Sequence, residues 1–235
     1  MKIALYPEFN DVFVDNTLKG IFYPLCSVYF EDADNNKIHF ISSNGLWFDE
    51  KLNDELNSEE YCIFDYEDDK YSFNGNINVY KGQEYAKNIY TILEKDFEIN
   101  GEKFLSEKTS TEDYIKQVIS KVPKSEINDF DSEYFIGTFY EYSIVKLNYL
   151  LSSKFSTFRN LIENWHNRET PFVYSILTGE MQGTLNHLDK PKIKNIENYE
   201  LIGKTIASEF FTDGNDSLIY FNVQERKVLL INSYS

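Results

Sequence analysis

The chain predicts an α+β protein in which antiparallel sheets, built from N-terminal hairpins and a C-terminal three-strand meander, surround a central block of helices. Three observations predict it. Residues 1–80 hold short strand-like runs punctuated by turn formers, residues 85–165 carry apolar side chains at helical spacing, and three more strand-like runs close the chain. Grouped strands and grouped helices, in place of strict alternation, point to α+β. At 235 residues the chain is long enough for one core, so 1–235 is read as a single domain, with halves 1–122 and 124–235 as the alternative division.

Residues 25–30 and 37–41 flank Asp32-Ala33-Asp34-Asn35-Asn36, a cluster of turn formers, and predict a first hairpin. After Asn44-Gly45, residues 49–57 read as a short acidic helix. Residues 61–65, 70–73 and 77–80 return to strand, the last two meeting at Asn74-Gly75, a dipeptide suited to the positive φ values of a type I′ turn. Tyr85, Ile89, Ile92, Leu93 and Phe97 then share one helical face, and Tyr114, Ile115, Val118, Ile119 and Val122 another. Ser110, with Asp113 three positions on, is placed to cap the second helix, and Pro123 to end it. Residues 134–151 are too long for one strand and poor in turn formers, and read as a largely buried helix interrupted only by Glu141 and Lys146. Phe155, Phe158, Leu161, Ile162 and Trp165 form a further stripe. Gly179, Gly183 and Pro191 mark a loop-rich passage, after which residues 204–211, 218–223 and 228–232 read as an antiparallel meander with short joints.

With 19 Phe and 18 Tyr against 2 Trp and 2 Met, the core has to be built largely from rings. Residues 2–8 are too short and too soon broken by Pro7 and Glu8 for a secretory leader, and no run reaches the length of a membrane span, so a cytoplasmic protein that does not enter the membrane is expected. Cys26 and Cys62 lie inside apolar strand-like runs and read as buried, reduced thiols. His39 would face Cys26 across the first hairpin, the juxtaposition a thiol–imidazole nucleophile needs, but burial beside Val28 and Phe30 raises a thiol's pKa and makes it inert.

The known signatures of chemistry are missing. The three histidines stand far apart and no CxxC occurs, so no metal site is expected. The segment from Asp32 starts like a calcium loop, but Lys37 stands where glycine is needed and Ser43 where the bidentate Glu is needed. Neither GxGxxG nor GxxxxGK[ST] occurs, Gly179 to Thr184 has the wrong spacing, and there is no GxSxG or HExxH. No catalytic residue and no cofactor is assigned.

What remains is charge. The net charge is -16, and residues 1–80 hold sixteen acids against five lysines. Asp49, Glu50, Asp54, Glu55, Glu59, Glu60, Asp65, Glu67, Asp68 and Asp69 crowd one stretch in which Lys51 is the only base before Lys70. Such a field repels phosphate backbones and anionic lipid, which disfavours nucleic acid, and speeds encounter with a basic protein. In size, acidity and lack of catalytic motifs the chain resembles bacterial immunity proteins, a likeness of composition that carries no residue assignments. The expected function is therefore an acidic binding protein that neutralises a basic protein partner, as an immunity protein inhibits a toxin domain. Trp47, Phe48, Asp49, Glu50, Asp54, Glu55, Glu59, Glu60 and Tyr66 are its partner-binding residues: carboxylates for steering, rings as anchors. The alternative is an enzyme or small-ligand binder, for a sugar or a cationic metabolite, that uses carboxylates in a pocket.

Overall fold

The computed structural model describes residues 2–29, 37–123, 130–163, 173–175, 193 and 195–233. It is α+β, with two antiparallel sheets around a helical block. Strand β1 (Lys2–Leu5) is followed by the single-turn helix α1 (Phe9–Val12), then by strands β2 (Tyr23–Tyr29) and β3 (Lys37–Ser42). These strands make a sheet in the order β1-β2-β3. Strands β4 (Tyr61–Glu67) and β5 (Lys70–Ser72) form a hairpin, and four helices follow: α2 (Gln83–Glu107), α3 (Thr111–Val118), α4 (Ser132–Ser152) and α5 (Phe158–Glu163). Strands β6 (Val173–Ser175), β7 (Glu200–Thr205), β8 (Asp216–Asn222) and β9 (Lys227–Ser233) complete a six-stranded sheet in the order β5-β4-β9-β8-β7-β6.

The hairpin of β2 and β3, the buried helix α4 and the last two strands of the meander, β8 and β9, stand as the sequence predicts. So does the cap of α3, where the Ser110 hydroxyl accepts the Asp113 N–H at 3.2 Å. The turn at 32–36, Trp165, and the loop-rich passage around Gly179, Gly183 and Pro191 lie outside the described residues.

Three predicted elements are corrected. Residues 49–57 form no α-helix but one 3₁₀ turn, Glu50–Leu52. There Asp49 and Asp54 turn their carboxylates on main-chain N–H groups, of Lys51 (3.1 Å), Leu56 (2.8 Å) and Asn57 (2.9 Å), which competes with helical pairing. Residues 77–80 are likewise a 3₁₀ turn, Ile77–Val79, capped by Asn76 accepting the Asn78 N–H. No hairpin therefore forms at Asn74-Gly75, and the tight turn falls instead between β4 and β5 at Asp68-Asp69, where both residues take positive φ (49° and 61°) and Glu67 pairs with Lys70. Finally, β7 stops at Thr205, and Ala207–Glu209 leaves the sheet as a 3₁₀ turn because the Asp216 carboxylate takes the Ala207 N–H at 2.8 Å.

The core is built of rings, as composition requires. Tyr114 stacks on Tyr140 at 4.2 Å and joins α3 to α4, Tyr90 meets Phe139 edge-on at 5.2 Å and joins α2 to α4, and Tyr23 packs on Tyr142 at 5.0 Å between β2 and α4. Alternation along β4 sends Cys62, Phe64 and Tyr66 into this main core and Ile63 to a smaller cluster, with Leu218, Leu229 and Ile231, on the other face of the large sheet.

The two sheets are joined at an edge. Strand β3 would present unpaired main-chain groups, but the His39 N–H donates to the Tyr71 hydroxyl (2.8 Å) and that hydroxyl donates to the His39 carbonyl (2.7 Å). The Tyr66 hydroxyl lies 2.8 Å from the Lys37 carbonyl. Two phenols of the β4–β5 hairpin thus satisfy the edge of the small sheet and close it to further pairing.

Candidate functional site

The acidic stretch divides into carboxylates that build the fold and carboxylates that face water. Asp54 belongs to the first kind: besides Leu56 and Asn57, it accepts the Asn76 N–H at 2.7 Å and so pins the turn before residues 77–79. Asp49, half-buried, caps its own 3₁₀ turn. Glu59 is half-buried, and its carbonyl accepts the Asn232 side-chain amide at 3.0 Å. Glu50, Glu55 and Glu60, with Glu67 and Asp68, are exposed. Among the described residues, the ion pairs, such as Lys121–Asp96 and Lys204–Asp216, leave these five unengaged.

The aromatic candidates separate in the same way. Tyr66 is corrected as an anchor: it is fully buried, its hydroxyl lies 2.6 Å from the Asp69 carboxylate, and the Arg226 guanidinium covers its ring at 5.0 Å. Phe48 is half-buried and packs on Tyr80 at 4.8 Å. Trp47 is 56% exposed and lies stacked on Tyr134, with ring centroids 5.4 Å apart. Tyr134, which the sequence reading placed only in a buried helix, thereby becomes the second half of a surface aromatic pair.

The chain neighbours of both rings are acidic. Asp49 and Glu50 follow Trp47 in the chain, and Asp131, the N-cap of α4, and Glu133 precede Tyr134. Burial raises the Tyr134 phenol pKa, a bond with the Gly45 backbone offsets part of that, and the charges of Asp213, Glu141 and Asp131 raise it further. A stacked aromatic pair within a negative field attracts a cation through both the ring faces and the charge.

A second arrangement lies where α3, α4, α5 and residue 212 meet, a cleft of about 580 Å³. Glu141 interrupts the apolar face of α4 and is only 5% exposed. Its Oε1 accepts from the hydroxyls of Thr111 (2.9 Å) and Thr212 (2.5 Å), and its Oε2 from the Thr212 N–H (2.7 Å). Burial pushes this carboxyl pKa above the usual range, the Thr212 and Thr111 bonds pull it back in part, and the Asp213 charge adds to the rise. Arg159, exposed on α5, lines the same cleft and donates to the Thr212 carbonyl at 3.4 Å. Sequence reasoning marked Glu141 only as a break in an apolar run; that break was the signal, because an acid inside a buried helix needs partners.

Cys26 and His39 do not meet across the first hairpin, and the thiols are buried as the sequence predicts. Cys26 pairs across the sheet with Phe40, and His39 pairs with Ser27, so Cys26 and His39 point to opposite faces. His39 Nε2 donates to the Asp69 carbonyl (2.7 Å), which leaves Nδ1 to accept from the Ser27 hydroxyl (2.7 Å). Both residues are fully buried, and the arrangement holds the Asp68-Asp69 turn against the small sheet. Cys26 and Cys62 are free and buried, and burial raises both thiols, Cys62 to about 12.

Among the described residues no cluster of three or more His, Cys, Asp or Glu could hold a metal ion, and no helix is long and apolar enough to cross a membrane. Compared with protein-family models, with curated proteins and with solved structures, the chain matches none of them.

Proposed function

We propose that this chain is an acidic binding protein that occludes a basic protein partner, in the manner of an immunity protein covering a toxin domain. The observation that carries this reading is the Trp47–Tyr134 stack, with Trp47 56% exposed and the two rings flanked in the chain by Asp49 and Glu50 and by Asp131 and Glu133. Exposed Trp is uncommon outside interfaces, and Trp and Tyr are the residues most enriched at their energetic centres. Glu50, Glu55 and Glu60 supply the steering field, while Asp54 and Tyr66 act only by holding the surface in shape.

The test begins with capture from the cells that make the chain, at low salt, and release of bound protein at high salt. Association of the recovered protein is then followed by stopped flow at several ionic strengths. Replacing Glu50, Glu55 and Glu60 together with Gln lowers the association rate and flattens its salt dependence, because rim charges act on encounter. Trp47→Ala raises the dissociation rate by roughly thirtyfold, the loss of a hot spot of about 2 kcal/mol. A partner whose rates are unchanged in both variants rules the face out.

A second reading, a small-ligand binder acting through a carboxylate in a pocket, is favoured by the Glu141 cleft.

A further inference from the structure

The cleft at Glu141 has a volume in the range of small-molecule sites and polar groups that converge on one place. It is lined by a carboxylate that takes three protein donors, and among the described residues one lone-pair direction of its Oε2 has no donor. No ion pair joins Glu141 to Arg159 among the described residues. The two charges are instead separated by a single residue: Thr212 gives its N–H to the Glu141 carboxylate and its carbonyl to the Arg159 guanidinium. One residue of backbone is thus bracketed by an acid at its amide end and a cation at its carbonyl end. A second molecule of the same span, with an ammonium at one end and a carboxylate at the other, matches the same two charges in the open part of the cleft. Half-buried Ile162 and the edge of Phe158 give it an apolar wall, and exposed Glu112 on the rim disfavours an anion that lacks the ammonium.

We propose that this cleft binds a small zwitterion of the α-amino acid class, its ammonium on Glu141 Oε2, its carboxylate on Arg159 and its side chain against Ile162. The inference rests on the small-ligand reading of the cleft and is independent of the acidic face around Trp47. Binding also accounts for the burial of an acid that makes no ion pair among the described residues, since a charge held in such surroundings is stabilised by an arriving ammonium and otherwise tends to take up a proton.

The experiment is a thermal-shift screen of the full chain with the free amino acids, followed by calorimetric titration of those that stabilise it. Four comparison sets accompany them: N-acetyl amino acids, the amines that lack the carboxylate, simple carboxylates, and neutral sugars. Ligands are added at about 10 mM, enough to reveal millimolar Kd values. At least one amino acid binds saturably, its N-acetyl form does not, and E141Q weakens it about tenfold or more, the difference between a charge-assisted bond and a neutral one. R159A removes the preference for the amino acid over its amine while leaving the amine bound. Should E141Q fail to fold, the N-acetyl and R159A comparisons carry the decision, since Arg159 is exposed. Amines binding as well as amino acids would overturn the zwitterion while leaving a small-ligand site. Binding of a sugar or simple carboxylate alone would do the same, and no binding in any set would remove both.

Discussion

Replacing Tyr71 with Phe tests what joins the two sheets. The ring stays, with its packing against Phe64, Phe13 and His39, and only the hydroxyl is lost. That hydroxyl is the partner of two groups at once, the N–H and the carbonyl of His39 on the edge of β3, at 2.8 and 2.7 Å, and both residues are fully buried. A buried polar group left unpaired costs about 1–3 kcal/mol, so Tyr71→Phe destabilises by about 2–4 kcal/mol, well beyond one ordinary hydrogen bond. With an m-value of about 3 kcal/mol/M in urea, the midpoint falls by roughly 1 M. Equilibrium urea unfolding followed by far-UV circular dichroism and by tyrosine and tryptophan fluorescence measures it. Tyr66→Phe, which frees only the Lys37 carbonyl on that edge, serves as the smaller step, at about 1 kcal/mol. A loss below about 0.5 kcal/mol for Tyr71→Phe at unchanged m would refute the claim that these phenols close the edge.

Stability also depends on pH through His39, whose pKa burial pushes down to about 4 from 6.5, against the pull of the Asp69 carbonyl bond. The unfolded chain takes up this proton below about 6.5 and the folded chain only below about 4, so the contribution is present in full above 6.5 and is lost as pH falls, about 3 kcal/mol in all. Glu141 acts oppositely, because its raised folded pKa favours the protonated form; the difference between the parent chain and His39→Gln across pH 4 to 7 isolates the histidine. Gly82, the N-cap of α2, has φ +72°, and a Cβ there would lie 2.5 Å from Phe130 Cδ2, so Gly82→Ala lowers stability by about 2–4 kcal/mol in urea titrations. Asp54→Ala and Glu55→Gln separate structure from steering: the first removes the acceptor of three main-chain N–H groups and costs about 1–3 kcal/mol, whereas the second leaves the urea midpoint unchanged.

Much of the fold was legible because it is written in local periods. The apolar run at 134–151 produced α4, the stripe from Tyr114 with Ser110 ahead of it produced α3, and the alternating runs near the C terminus produced β8 and β9. Such patterns are legible whenever burial of one face and the helix or strand repeat agree. Where they failed, at 49–57 and 77–80, side chains of Asp and Asn bonded nearby main-chain groups, and hydrophobicity carries no trace of that competition. The tight turn moved from Asn74-Gly75 to Asp68-Asp69 for a related reason: two acids accept αL geometry when the His39 imidazole holds the Asp69 carbonyl.

By itself, then, the sequence determined the α+β class, the ring-built core and the negative charge of the first third. Tertiary structure alone decided the rest: that β4 lies beside β9, that Tyr66 is inside while Tyr134 supports Trp47, and that Glu141 meets Thr111, Thr212 and Arg159 at one cleft. Periodicity says which way a side chain faces within its own element. Which remote segment it then meets depends on how buried surfaces and unpaired polar groups are satisfied together, and that is a property of the packed chain as a whole.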